Sequence, residues 1–234
     1  MKNQTIFKRY EIKYILSHSQ KEKIQKYIQY YMREDEFGRS TICNVYYDTE
    51  DNILVRRSIE KPVYKEKLRI RSYGIATPDS IVFAELKKKY KSVVYKRRIT
   101  MKESDAENYM KGKYNHDNST QILNEIDYFM NMYQGITPKI FLSYEREAFY
   151  GKNDNDFRIT FDENILWRDY DLSLCDGIYG NFILPENSIL MEVKTSGAIP
   201  VWLAHFLSEN KIFKTSFSKY GNAYKQKIKL LKGA

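Results

Sequence analysis

The sequence predicts an α+β fold: an eight-stranded antiparallel β-barrel, closed into a tunnel, with helices packed on its outside. Three observations predict it. Strand-like runs with period-two alternation recur about eight times, enough to close a barrel. Most runs pair a charged, largely cationic face with a largely apolar one. The helical segments between them carry apolar stripes that need a surface, and the apolar strand faces supply it, which turns the charged faces inward.

The elements follow in chain order. The first run, Thr5–Ile15, alternates Arg9, Glu11 and Lys13 with Tyr10, Ile12 and Tyr14. Ser17 and Gln20 then have the spacing of a capping box, opening a helix with Ile24, Tyr27, Ile28 and Tyr31 on it. Strands are predicted next at Thr41–Asp48 and Val63–Tyr73. In the second of these Lys67, Arg69 and Arg71 share one face and Leu68 and Ile70 the other. Turn residues from Gly74 to Asp79 lead into Ser80–Tyr90, where Glu85, Lys87 and Lys89 alternate with Ala84, Leu86 and Lys88. Ser92–Thr100 brings Lys96 and Arg98 to one parity.

A helix over Ser119–Tyr133 carries Ile122, Leu123, Ile126, Phe129, Met130 and Tyr133 on one stripe, as expected of packing against a sheet. Pro138–Tyr150 contributes Tyr144 and Arg146. Asp156–Trp167 contributes Arg158, Thr160 and Asp162, and Ser188–Thr195 contributes Glu192 and Lys194. The last helix, Lys219–Leu231, is basic and follows "FSKYG". No internal repeat or linker interrupts the chain, so one domain over 1–234 is the simplest reading.

The 234 residues are 42% hydrophobic and carry 39 Lys plus Arg against 30 Asp plus Glu, a net charge of +9. This excludes a disordered chain and favours anionic partners. Cys43 and Cys175 lack CxxC spacing, which argues against a disulfide framework or a thiolate zinc site. No apolar run is long enough to span a bilayer, so a cytoplasmic protein is expected, with any membrane association made through a partner. No helix-turn-helix, zinc-finger or RRM signature is present, and the cations alternate on strands instead of clustering with stacking aromatics. Nucleic acid is therefore not the expected partner. His18, His116 and His205 lie outside the charged runs and are expected to be structural or solvated.

Like charges stacked along one strand repel, and unpaired buried charges cost several kcal/mol each. A cationic lumen makes sense only if it is wet and receives a polyanion. A chain of phosphates fits: it is thin and highly charged, and guanidinium forks grip phosphate oxygens bidentately. Acids are few on these faces. Glu192 and Glu11 are candidate ligands for a hard divalent cation, Mg²⁺ or Mn²⁺, or else partners of the neighbouring Lys and Arg. Glu192 is the stronger metal candidate.

The motifs "RYEIKY", "YYDT", "KLRIRSYG", "ELKKKYKSVVYKRR", "YEREAF", "FRITFDENI", "LMEVKT" and "FSKYGNAY", in this order from about Phe7 to Tyr224, resemble the VTC domain. VTC domains are polyphosphate polymerases of the triphosphate tunnel metalloenzyme superfamily. The resemblance implies an eight-stranded antiparallel tunnel binding triphosphate and metal. It makes Lys13, Arg69, Arg71, Lys87, Lys96, Arg146, Arg158, Lys194 and Lys219 catalytic cations and Glu192 the metal carboxylate. Lys67, Arg98, Tyr144, Ser218 and Glu11 would contact substrate. Lys96 is preferred over Arg97 and Arg98 as the matching cation of its strand, with Arg98 sharing its parity.

The implied reaction moves the terminal phosphoryl of ATP to inorganic polyphosphate or pyrophosphate, with Mn²⁺ or Mg²⁺. A tripolyphosphatase or nucleoside triphosphatase in the same tunnel, and a non-catalytic polyphosphate-binding module, are the alternatives. Two departures stand out. Arg9 occupies the place of the first glutamate in the pattern of the CYTH branch, and the SPX and membrane parts of eukaryotic VTC proteins have no counterpart here.

Overall fold

The computed structural model describes residues 10–60, 62–91, 93–113 and 120–233. Arg9, His116 and the predicted starts at Thr5, Ser92 and Ser119 lie outside them.

Among the described residues, eleven strands form one antiparallel sheet. They are β1 (Tyr10–Ser17), β2 (Met32–Glu34), β3 (Ser40–Asp48), β4 (Tyr64–Tyr73), β5 (Ile81–Tyr90), β6 (Val93–Lys102), β7 (Thr137–Gly151), β8 (Arg158–Arg168), β9 (Asn181–Phe182), β10 (Ser188–Thr195) and β11 (Lys214–Thr215). The helices are α1 (His18–Ile28), α2 (Ile53–Ile59), α3 (Glu103–Met110), α4 (Gln121–Tyr133), α5 (Val201–Glu209) and α6 (Lys219–Leu231).

Along the sheet the order is β11-β1-β10-β8-β7-β3-β4-β5-β6, with β2 on β7 and β9 on β8. The closed eight-stranded barrel expected from the sequence is thus corrected to an open sheet of eleven strands: among the described residues, no backbone pairing joins β6 to β1 or β11. The sheet nevertheless curls on itself, because Lys87 of β5 reaches Glu11 of β1 at 3.3 Å. A side-chain ion pair bridges the seam that a barrel would close with a backbone ladder. The three additional strands are two or three residues long, too short to leave an alternation legible in sequence.

Alternation decides what each face buries. Cys43, Val45, Leu68, Ile70, Ala84 and Leu86 pack outward under α3 and α4. Tyr14, Leu16, Ile159, Phe161, Met191 and Val193 pack outward under α1 and α5. A third cluster lies on the inner face: Ile42, Tyr46, Ile140, Leu142, Tyr144 and Leu190 meet Val55 of α2 and Tyr220 and Ala223 of α6. The expectation that all helices lie outside is therefore corrected for α2 and α6, which cover the inner face at one end. The strand patterns allowed this, since inner positions there are Ile, Leu and Tyr instead of Lys and Arg.

Local chemistry fixes these two helices. Asp48, fully buried, accepts the N–H groups of Thr49, Leu54 and Val55 at 2.8–2.9 Å and so caps α2. Its Oδ2 also accepts the Tyr220 hydroxyl at 2.9 Å, tying α2 to α6. Ser218 caps α6 by accepting Gly221 N–H at 3.1 Å. A Cβ at Gly221 would sit 3.2 Å from that Oγ and 3.5 Å from Ile59, so a bare backbone lets cap and α2 approach. On α1 the Ser17–Gln20 capping box is present as predicted.

In β8, Asn164 has a left-handed backbone (φ 49°), opposite the register shift at Ser143/Glu145 of β7. Arg158 and Asp162 carry their charges to the inner face before this point. Beyond it Ile165 and Trp167 join the inner apolar cluster. One irregularity thus ends the charged lumen and starts its floor.

Candidate phosphate-binding tunnel

The inner face holds at least eleven cations, Lys13, Lys67, Arg69, Arg71, Lys87, Lys96, Arg98, Arg146, Arg158, Lys194 and Lys219, against four carboxylates, Glu11, Glu85, Asp162 and Glu192. All the sequence-predicted site residues thus reach one lumen, and they divide into two walls.

On the wall made by β1, β10, β8 and β7, the carboxylates interleave with cations. Lys13 Nζ lies 2.9 Å from Glu11 and 3.4 Å from Glu192. Glu192 is further ringed by Lys219 at 3.1 Å, Lys194 at 3.5 Å and Arg146 at 3.6 Å. Asp162, fully buried, takes the Arg146 fork through both oxygens at 2.6 Å and also accepts from Lys219. Burial alone would raise the Glu192 carboxyl, but Lys219, Lys13, Lys194 and Arg146 hold it well below the usual range. It is a permanent anion. Lys13 is pulled up by Glu11 and Glu192 despite its burial, and stays charged.

On the wall made by β4, β5 and β6, one carboxylate serves the cations. Arg69 gives Nε and Nη2 to Glu85 at 2.9 and 2.7 Å and Nη1 to Tyr46 at 2.8 Å. Arg98 and Lys96 reach the other Glu85 oxygen at 2.5 and 2.6 Å, and Arg71 stands 3.9 Å away. Arg71 is oriented by Asn44 at 2.9 Å and by the Tyr144 hydroxyl at 3.2 Å. The repulsion anticipated among the β4 cations is therefore relieved at Arg69 and Arg71 by Glu85. Arg97, the other parity of β6, points away from these groups to Glu125.

Among the described residues, Lys67 keeps no such counter-charge. Its Nζ donates to Ser218 at 2.9 Å. Burial, with Lys13, Lys87, Lys65 and Arg69 around it, drives its ammonium well below the usual lysine range. Arg158 is likewise weakly compensated. Burial lowers it, Arg146 adds to that, and Asp35 at 3.7 Å is its ion-pair partner. Tyr144 is pushed up by burial, yet Arg71, Arg146 and Lys219 outweigh this and bring its hydroxyl down to about 8. A cavity of about 560 Å³, lined by Tyr10, Glu11, Ile12, Lys89 and residues 197–199, opens beside the Glu11 end.

Two functional-looking carboxylates escaped the sequence reading of the site. Glu85 and Asp162 were placed on charged faces by parity, but only the fold shows that each anchors several cations. Glu192 is accordingly not a lone acid: Lys219 links it to Asp162. Among the described residues no three His, Cys, Asp or Glu side chains gather as an all-protein metal cage. A divalent cation held by one or two carboxylates and completed by phosphate oxygens needs no cage. Glu192 and Glu11, both within reach of Lys13 Nζ, fit that pattern. His18 and His205 are exposed and outside the lumen, as expected.

A curled antiparallel sheet around a cationic lumen is the arrangement of a triphosphate tunnel protein. The VTC domain model matches residues 8–228, and the chain belongs to that family, within the triphosphate tunnel metalloenzyme superfamily. The fold is shared with a candidate adenylate cyclase from Bacillus halodurans (TM-score 0.58, 14% identity, 91% of this chain and 96% of that one). It is also shared with a candidate adenylyl cyclase from Hippeastrum that has a dominant triphosphatase activity (TM-score 0.58, 14% identity, 93% of this chain and 95% of that one). No curated protein is significantly similar in sequence. No helix among the described residues is long and apolar enough to cross a membrane.

Proposed function

We propose that this protein synthesises inorganic polyphosphate, moving the terminal phosphoryl of ATP to the end of a polyphosphate chain held in the same lumen. The observation that carries the reading is the setting of Lys67, whose Nζ donates to the Ser218 hydroxyl at 2.9 Å while burial and Lys13, Lys87, Lys65 and Arg69 press it toward the neutral amine, so that an anion placed there would restore its charge. Seven more cations than carboxylates line the lumen (eleven against four), more than one triphosphate requires. Nucleotide and product chain can share it end to end.

In the reaction the bond between the terminal phosphorus and the bridging oxygen of ADP breaks, and a bond to the acceptor oxygen forms. Charge spreads over the non-bridging oxygens, so the work is positioning and electrostatic stabilisation. Arg69 and Arg71 are held by Glu85, Tyr46 and Asn44, which presets their forks. Lys13 and Lys219, raised by their carboxylate partners, supply fixed positive charge; Lys67 and Lys194, lowered by burial, regain theirs beside phosphate; and Lys87, Lys96, Arg98, Arg146 and Arg158 extend the rail. Ser218 and Tyr144 orient Lys67 and Arg71. Glu192, with Glu11 beside it, would hold a Mn²⁺ or Mg²⁺ ion, which when bound polarises phosphate oxygens. The acceptor is already an anion and requires no strong base, which suits a lumen in which no histidine lies among the described residues. Phosphates lying inside a curled sheet, not along an open groove, leave no place for duplex nucleic acid.

The triphosphatase activity of the Hippeastrum protein, which shares this fold, favours a second reading: hydrolysis of triphosphate in the same lumen. Incubation with ATP, Mn²⁺ and a pyrophosphate primer, with products resolved by gel and phosphorus NMR, separates the two. Primer-dependent ADP and linear polyphosphate are expected. Orthophosphate alone, with and without primer, selects the hydrolase, and tight polyphosphate binding without turnover selects a binding module.

A further inference from the structure

Among the described residues, three buried side-chain atoms lack a hydrogen-bond partner: Ser143 Oγ, Arg158 Nε and Thr160 Oγ1. Ser143 pairs across to Cys43, which belongs to the outward apolar cluster, and lies away from the lumen. Arg158 and Thr160 are two apart on β8 and share its inner face. Thr160 is fully buried, opposite Glu192 of β10 on one side and Ala148 of β7 on the other. Arg158 stands opposite Lys194.

A hydroxyl stripped of water and left unpaired is destabilising. Valine would fill the same place on a strand without that cost. Neither cross-strand neighbour accepts the proton. The Ala148 side chain has no polar atom, its carbonyl accepts from Asp35 N–H, and the Glu192 oxygens are engaged by Lys13, Arg146, Lys194 and Lys219. The surroundings are cationic, so the group that completes this corner is an anion with an acceptor oxygen.

We infer that Thr160 is a substrate-contacting residue, whose hydroxyl donates to a non-bridging oxygen of the phosphate gripped by Arg158 and Lys194, immediately beside Glu192. This rests on the proposal that the lumen takes phosphates, and it marks out one subsite within it. Arg158 Nε supplies the second donor to the same phosphate. The position opposite Glu192 puts this phosphate beside the carboxylate that would hold a metal ion.

Tripolyphosphate binding by calorimetry, in EDTA and in Mn²⁺, tests the assignment with Thr160→Val, Thr160→Ala and Thr160→Ser. Val and Ala remove the hydroxyl, and Ser keeps it. The expected result is binding about tenfold weaker for Val and Ala under both conditions, the loss typical of a hydrogen bond to a charged group. Ser should stay within about threefold. The phosphate-free Val protein should melt no lower than wild type, because an unpaired buried hydroxyl has gone. Undiminished binding by the Val and Ala proteins overturns the inference. A loss confined to the Mn²⁺ arm also overturns it, since the hydroxyl would then act through the ion. If wild-type protein itself binds no tripolyphosphate, the phosphate lumen fails and not merely this subsite.

Discussion

The two walls of the lumen solve the same electrostatic problem differently. On the wall of β1, β10, β8 and β7, the three carboxylates Glu11, Asp162 and Glu192 meet five cations, Lys13, Arg146 and Lys194 of the wall itself, Lys219 of α6 and Lys87 from across the seam, and each acid touches at least two. On β4, β5 and β6, a single carboxylate, Glu85, collects Arg69, Arg71, Lys96 and Arg98, and Lys67 is left with a hydroxyl. The acid-poor wall rests on one carboxylate, whereas the acid-rich wall shares its cations among three. Under the proposed function the difference would separate two jobs, metal binding and anion gripping, onto facing walls of one lumen.

The largest effect should come from the acid-rich wall. Glu192→Gln keeps shape and removes the charge, and metal-dependent turnover should fall about a hundredfold or more while the fold survives. Unchanged Mn²⁺-dependent product formation by a folded variant would sink the metal assignment. The equivalent change opposite, Glu85→Gln, should act on stability first. It strands four partly buried cations, and breaking such a buried arrangement costs about 3 kcal/mol. Thermal melts should show a large drop without phosphate and an unusually large recovery with tripolyphosphate. Equal behaviour of the two variants in both assays would erase the distinction between the walls.

pH sharpens the comparison at a finer scale. Burial lowers Lys194 to about 8 against the pull of Glu192, and Tyr144 is brought to about 8 by Arg71, Arg146 and Lys219 against its burial. As pH rises past about 8, Lys194 loses its charge and Tyr144 gains a negative one, so tripolyphosphate affinity should fall between about pH 7 and 9. Both folded values lie below those of the unfolded chain, about 10 for each. The folded state releases these protons first, so stability of the phosphate-free protein should rise from about pH 8 to 10. Parallel titrations of affinity and melting temperature check the opposite signs, and Tyr144→Phe should remove the tyrosine share of both.

The smallest effect concerns the floor between the walls. Tyr220→Phe leaves buried Asp48 without one of its donors and should cost about 1 kcal/mol. That corresponds to a melting temperature lower by about 2–4 °C. Because Tyr220 follows Lys219, turnover should drop more than affinity. A stability loss with turnover untouched would mean that the hydroxyl supports the fold without setting the position of Lys219.

Much of this was legible in the residues. Ser188–Thr195 and Lys219–Leu231 fall where the pattern puts them, and the other long strands agree within a few residues, because strict alternation over eight or more positions leaves little freedom. The same alternation brought Lys67, Arg69 and Arg71, and across the sheet Arg158 and Glu192, onto one face. Short elements were not legible. α2 is seven residues long and held by Asp48, whose partners are six and seven positions away and on another helix.

The sequence by itself therefore determined which residues face together, since parity is a local property of the chain. The tertiary structure alone decided which charges meet. Glu85 became an anchor for two neighbouring strands, and Lys219 came to link Asp162 with Glu192. Lys87 crossed an unpaired seam to reach Glu11, so that the sheet curls without closing. Pairing depends on curl, register and the helix that covers one end, and those arise from contacts between residues far apart in the chain, where no period of two or 3.6 reaches.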